Sequence, residues 1–357
     1  MGNQFLHYII FLVSIFFTRV IGDPKFPCYF IFGDSLFDVG NNNRLRTGAK
    51  VNFLPYGVDF PQGPTGRFSN GLNVADYIAK DLGFHDYIPA YASVKRKDVL
   101  TGVNYASGGS GILDETGENL GERISFNKQI LHHEKVISLI TTQQRNQTYT
   151  KDYCKKCLYA VQIGNNDYIN NYFAPTSHDK VRHNVTVDQF ATTLINRFSQ
   201  QLNASILYTW LIVRLFKLGA RKFAVFGIGE VGCTPAQMRL FGTPNTCVTE
   251  MNDAVNVFNA KQRNLIDDLN RNLKDAKFVV IDVSNPTSGL LQSNGTVMTK
   301  TTCCKVSSKG DTRGQCIPRN VTCLHRNKHW FYDGFHPTQY ANRLYAKQAM
   351  LTISKLL

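Results

Sequence analysis

Four short, mostly apolar runs constrain what this chain can fold into: residues 29–32, 158–163, 221–226 and 277–282. Each carries apolar residues on both alternations, as a strand buried on both faces must, and each ends at a glycine or a polar turn. The spans between them have helical spacing. In 71–82 the apolar positions are Leu72, Val74, Ala75, Ile78, Ala79 and Leu82, and in 249–273 they are Met251, Val255, Phe258, Leu265, Ile266 and Leu269. Residues 125–144 and 187–218 read the same way, as does a terminal helix opened by Pro337. Strands alternating with helices need crossover connections, which implies a mostly parallel sheet covered on both faces. At 357 residues with no internal repeat, one large α/β domain is expected.

Residues 1–22 stand apart. Leu6 to Phe17 is nearly all apolar but too short to span a bilayer, and Val20 and Gly22 suit a cleavage site before Asp23. A cleaved secretory leader is expected at 1–22 and a single domain at 23–357, although no Lys or Arg precedes the apolar run. Five N-x-S/T sequons, at Asn146, Asn184, Asn203, Asn294 and Asn320, fit that route as glycosylation sites. So do nine cysteines, which allow four disulfides and leave one residue over. Cys154-x-x-Cys157 has no second half-site to make zinc ligation credible and is read as disulfide chemistry, while Cys303, Cys304, Cys316 and Cys323 read as a stapled loop. Forty basic against 26 acidic residues give a net charge of +14. No basic run is interleaved with aromatics as a nucleic-acid reader requires, so nucleic acid is excluded, and in a secreted protein an anionic polysaccharide, such as that of a cell wall, or lipid headgroups are the expected polyanionic partners.

Chemistry-bearing residues sit where the strands stop, the edge at which open α/β sheets bind ligands. The first run ends in Gly33-Asp34-Ser35, which places a candidate nucleophile on a tight turn, though Asp34 and Ser35 also fit a helix cap. Gly102–Gly111 (GVNYASGGSG) runs a short strand into a glycine cluster lacking the Walker lysine; its backbone N–H groups suit an oxyanion better than a phosphate. Gly164-Asn165-Asn166-Asp167 follows the second run, and an asparagine amide there can donate to an oxyanion or form an Asx turn. Asp333 and His336, three apart on a loop near the C-terminus, let a carboxylate meet one ring nitrogen while the other faces a serine.

In this order, the segments FIFGDSLFDVGNNN, NYASGGSGILDETG, IGNNDYINNYF, GARKFAVFGIGEVGCTP and FYDGFHPTQ resemble the plant secreted branch of the GDSL esterase/lipase family, within the SGNH-hydrolase superfamily. The resemblance covers roughly residues 26–355. It implies a three-layer α/β/α, flavodoxin-like fold with a mostly parallel sheet, and neither metal nor organic cofactor. It implies Ser35 as nucleophile, His336 as general base and then acid, and Asp333 as the residue that orients the imidazole. The implied oxyanion donors are the Ser35 N–H, the Gly108 N–H and the Asn166 side chain, with Gly109 adjacent to Gly108 and equally able to donate. The GxSxG elbow of α/β-hydrolases is missing, which disfavours that fold.

These roles imply a secreted, extracellular serine hydrolase of carboxylic esters, acting on lipid or small acyl esters through an acyl-Ser35 intermediate. Alternatives on the same scaffold are an acyltransferase, a polysaccharide deacetylase and a non-catalytic wall- or lipid-binding protein. One departure stands out: about a dozen extra, largely apolar residues near 203–214, between the motifs.

Overall fold

In the computed structural model, residues 23–174, 184–199, 211–242, 246–283 and 298–357 are described. The leader at 1–22 and the sequons at Asn203 and Asn294 lie outside them. β1 (Tyr29–Gly33) pairs in parallel with β2 (Leu158–Gln162), which pairs with β3 (Lys222–Phe226), which pairs with β4 (Lys277–Ile281). On its other edge β1 holds the segment around Asn104 in parallel register, through bonds from Ile31 N to Val103 O and from Tyr105 N to Ile31 O. The chain therefore enters the sheet at β1, crosses to one side, then returns to β2 on the other. The crevice at that reversal, outside the C-terminal strand ends, is where a ligand site forms in such sheets.

Alternation within each strand divides the core into two layers. Phe30, Phe32, Tyr159, Val161, Phe223 and Val225 face one side. There they meet α2 (Phe126–Gln144), α4 (Val187–Ser199), α5 (Leu211–Lys217) and α7 (Thr249–Asn272). α3 (Gln147–Lys156) links α2 to β2. Tyr29, Ile31, Leu158, Ala160, Ala224 and Phe226 face the other side, against α1 (Val74–Leu82) and α8 (Gln339–Ile353). Each large side chain so buried contributes about 1.5–3 kcal/mol, which is why runs apolar on both alternations are needed. The three-layer α/β/α arrangement matches the expectation.

The expected helices form with small shifts. α1 begins later than the apolar spacing suggests because Asn73 caps it: its side chain accepts the Asp76 N–H, and the Asp76 carboxylate accepts the Asn73 N–H. α8 begins at Gln339 rather than at Pro337, because Thr338 takes the cap position and its Oγ1 accepts from Ala341 N. The single helix expected over 187–218 is described as α4 and α5, and residues 200–210, with most of the apolar departure, lie outside the described residues.

The cysteine reading needs one correction. Cys157 bonds Cys28, and Cys154 is the buried free thiol. The register pairs Tyr29 with Leu158, so the preceding residues of the two strands are brought side by side. Cys233 bonds Cys247. The stapled loop is as expected, with Cys303 bonded to Cys323 and Cys304 to Cys316. It follows β5 (Met298–Thr302) and precedes β6 (His329–Phe331), a parallel pair of its own, and α6 (Pro235–Phe241) lies after β3.

Candidate active site

The C-terminal end of β1 is held by α2. The Gln129 side chain accepts the Gly33 N–H at 2.9 Å and donates to the Gly33 carbonyl at 2.8 Å. Gly33 is required by close approach, since a Cβ there would stand 2.4 Å from the Gln162 carbonyl oxygen of β2. Asp34 then turns the chain. Its carboxylate accepts from Leu36 N at 3.0 Å and from Asn165 Nδ2 at 2.9 Å, tying the turn after β1 to the turn after β2. Burial pushes the Asp34 carboxyl up to about 6. Ser35 follows with its side chain toward the crevice.

His336 reaches Ser35 from the other end of the sequence. Its Nε2 lies 2.8 Å from Ser35 Oγ, and its Nδ1 lies 2.8 Å and 2.9 Å from the two Asp333 oxygens. A proton on Nδ1 satisfies the carboxylate and leaves Nε2 to accept from the serine hydroxyl, so one neutral tautomer fits both contacts. Asp333 is fully buried, and its Oδ1 also accepts the N–H groups of Phe335 at 2.8 Å and His336 at 2.7 Å. The loop thus turns on its own carboxylate, which fixes the three-residue spacing. The Phe68 ring lies 4.7 Å from the imidazole and covers it.

The two glycines of the oxyanion expectation separate. Gly108 N–H donates to Asp38 Oδ2 at 3.0 Å, a buried bond that leaves it unable to serve the crevice. Gly109, in the left-handed region at φ 80°, lines the cavity beside Ser35, and its N–H has no acceptor among the described residues. Of the two, Gly109 is therefore the one whose N–H is left open beside Ser35, and Gly108, the expected donor, is the one already bonded. The Ser35 N–H likewise has no acceptor among the described residues. Asn166 donates from Nδ2 to Ser110 O at 2.9 Å, while its Oδ1 accepts from Asn170 at 2.7 Å. The second N–H of that amide is left for the cavity that Asn166 lines.

That cavity is about 370 Å³, with Ser35 and His336 in its wall. Leu36, Ile169, Val231, Leu240 and Phe335 give it apolar surface, and Asn119, Asn170 and Gln237 give it polar surface. Among the described residues no cluster of three His, Cys, Asp or Glu side chains could hold a metal ion, and no helix is long and apolar enough to cross a membrane. Of the sequons, Asn146 and Asn184 are exposed, and Asn320 is half-buried on the stapled loop.

Three features escaped the sequence reading. Gln129 looks like one more polar position on a helix, yet it clamps β1. Asn41 and Asn42 are buried cross-links: Asn41 Nδ2 donates to the Asn104 and Ala106 carbonyls, and Asn42 Nδ2 to those of Ala49 and Gly108. Tyr56, in the loop between β1 and α1, donates its hydroxyl to Asp333 Oδ2 at 2.6 Å. The asparagine run, too polar for a loop that needs only to turn, was the one available signal.

Comparison with known proteins agrees with this geometry. A sequence profile described as GDSL-like lipase/acylhydrolase matches residues 29–349. A GDSL esterase/lipase of Arabidopsis thaliana is 45% identical over 339 residues, covering 93% of this chain and 89% of the relative. A second is 41% identical over 349 residues, covering 96% and 92%, and a third 42% identical over 339, covering 93% and 88%. The matched span runs from β1, which presents the serine, into α8, which follows the histidine, and on that extent the chain belongs to the GDSL-like lipase/acylhydrolase family.

Proposed function

We propose that this protein is a serine hydrolase of carboxylic esters working through an acyl-Ser35 intermediate. The observation that carries the reading is the contact of His336 Nε2 with Ser35 Oγ at 2.8 Å while Nδ1 rests on Asp333, all in the wall of the 370 Å³ cavity. His336 takes the hydroxyl proton as Ser35 Oγ attacks the ester carbonyl, and Asp333 stabilises the imidazolium. The oxyanion that forms is held by the Ser35 N–H, the Gly109 N–H and the second Asn166 N–H. His336 then gives its proton to the departing alcohol. Water, deprotonated in turn by His336, attacks the acyl-enzyme, and the acid leaves.

Apolar surface from Leu36, Ile169, Val231, Leu240 and Phe335 suits the acyl chain of a lipid or small acyl ester, and the polar lining residues suit the alcohol portion. The leader-like residues 1–22, three described sequons and four disulfides support an extracellular location after cleavage before Asp23. There the excess of basic residues, which loses only Arg19 with the leader, suits an anionic wall polysaccharide.

The test is hydrolysis of p-nitrophenyl esters of graded chain length by secreted protein, beside Ser35→Ala. Serine-dependent turnover is expected, with a chain-length profile set by the apolar wall. Wild-type turnover in folded Ser35→Ala sinks the reading. No turnover by the folded wild type across the series favours acyl transfer to a specific acceptor, or a binding role.

A further inference from the structure

Tyr56 stands where the buried acid of the site meets the stapled loop. Its ring is fully buried and packs edge-on to Phe53 and Tyr332, at centroid distances of 5.5 Å and 5.7 Å. Its hydroxyl makes two bonds: it donates to Asp333 Oδ2 at 2.6 Å and accepts the Cys316 N–H at 3.0 Å. Cys316 is bonded to Cys304, whose own N–H donates to the carbonyl of Tyr332, the neighbour of Asp333, at 2.9 Å. The stapled loop therefore grips the phenol and the backbone beside the carboxylate at once.

The two oxygens of Asp333 are served differently. Oδ1 takes two backbone N–H groups of its own turn, in addition to His336 Nδ1. Among the described residues Oδ2 has only His336 Nδ1 and the Tyr56 hydroxyl. The hydroxyl is thus the group outside the turn that fixes the carboxylate's rotation, and as a donor it disperses part of its negative charge. Burial, with the Asp333 charge beside it, holds the phenol well above its ordinary value, so it remains a donor over the working pH range.

We propose that Tyr56 is a positioning residue for the Ser35–His336–Asp333 set, fixing the plane of the Asp333 carboxylate and setting how strongly that carboxylate attracts a proton onto His336. The proposal rests on the acyl-Ser35 reading above. Its sign follows from charge. Without the hydroxyl, Asp333 carries a fuller, less dispersed charge, which favours a proton on the ring it faces. The other groups facing the pair are Asp34, from the turn after β1, and Tyr332, behind which lies the Arg326–Asp59 ion pair. These stay in place when only the Tyr56 hydroxyl is removed, so a difference between variant and wild type reports Tyr56.

The experiment compares kcat, KM and the pH profile of kcat/KM on p-nitrophenyl butyrate for wild type, Tyr56→Phe, Tyr332→Phe and Ser35→Ala. Tyr56→Phe is expected to lose about tenfold in kcat, the scale of one hydrogen bond to a charged group, with KM nearly unchanged and the acid limb moved to higher pH. Tyr332→Phe loses a comparable buried bond, to the Pro55 carbonyl at 2.6 Å, and leaves the limb where it was. A wild-type kcat and unmoved limb in Tyr56→Phe, or the same limb shift in Tyr332→Phe, overturns the proposal. Should Tyr56→Phe not fold, 3,5-difluorotyrosine at position 56 keeps the shape and donates more strongly. The limb then moves to lower pH, and an unmoved limb again overturns the proposal. An inactive Ser35→Ala beside an unaffected Tyr56→Phe rejects the positioning role alone. An active Ser35→Ala rejects the acyl-serine reading, and the positioning role falls with it.

Discussion

Asp38 Oδ2 accepts the Gly108 N–H at 3.0 Å across 70 residues of chain, and this bond decides which of two adjacent glycines faces the nucleophile. Asp38 Oδ1 meanwhile holds Gly40 N at 2.7 Å and Asn41 N at 2.8 Å, so one carboxylate joins the loop after β1 to the glycine cluster. Replacing Asp38 by Ala leaves three N–H groups without their acceptor. The expected cost is about 2–5 kcal/mol in urea unfolding, together with a fall in kcat as Gly109 loses its support. Unchanged stability would show that the junction does not depend on this carboxylate.

Asn166 is expected to act in the transition state alone. Asn166→Ala removes the one side-chain donor of the proposed oxyanion set, and kcat on a p-nitrophenyl ester should fall by about 10²–10³ with KM little changed. A rise in KM at constant kcat would instead assign Asn166 to substrate binding.

Arg67 and Asp76 form a two-toothed ion pair, with Nε and Nη2 each 2.7 Å from a carboxylate oxygen and both side chains buried. The guanidinium also lies over the Phe60 ring at 4.3 Å, and Asp76 completes the cap of α1. Removing one partner strands the other charge, so Asp76→Ala should cost about 3–5 kcal/mol, whereas exchanging both for apolar residues of similar volume should cost less. Denaturant midpoints of the single and double variants check the order.

His133 is buried on the α2 side of the sheet, where Tyr105 Oη lies 3.1 Å from its Nδ1. Burial lowers its imidazole from 6.5 to about 3. As pH falls below 6.5 the unfolded chain takes up this proton and the folded protein does not until near 3. The residue therefore withdraws stability through that window, by at most about 1.4 kcal/mol per pH unit. Asp34 and Asp38, pushed up to about 6 by burial, and Asp167, pushed up to about 7, act in the opposite sense. The contrast with His133→Gln isolates the histidine: wild type should lose stability relative to the variant between pH 6.5 and 4. Parallel curves would show that the buried ring is not held neutral.

The strands and most of the helices were legible because their pattern is local: apolar on both alternations for β1 to β4, and at helical spacing for α1, α2 and α7. The Asp333–His336 spacing was legible for the same reason, since that turn closes on its own carboxylate. What escaped depends on contacts between distant segments. Gly108 and Gly109 are the same residue type, and only Asp38 tells them apart. Cys154 and Cys157 invite a local bond, and only the pairing of Tyr29 with Leu158 brings Cys28 to Cys157. Tyr56 in an aromatic loop shows nothing of Asp333 until the chain has closed.

Ser35 and His336 are 301 residues apart, and a short parallel sheet of four strands joins the regions that carry them. The serine is therefore among the first parts of the domain to be synthesised and its base among the last. Until α8 docks and brings the preceding loop against β1, the serine has no proton acceptor, whatever else has folded around it. On the proposed roles of Ser35 and His336, hydrolysis waits for the closing of the domain, and the first turnover would report that folding is complete.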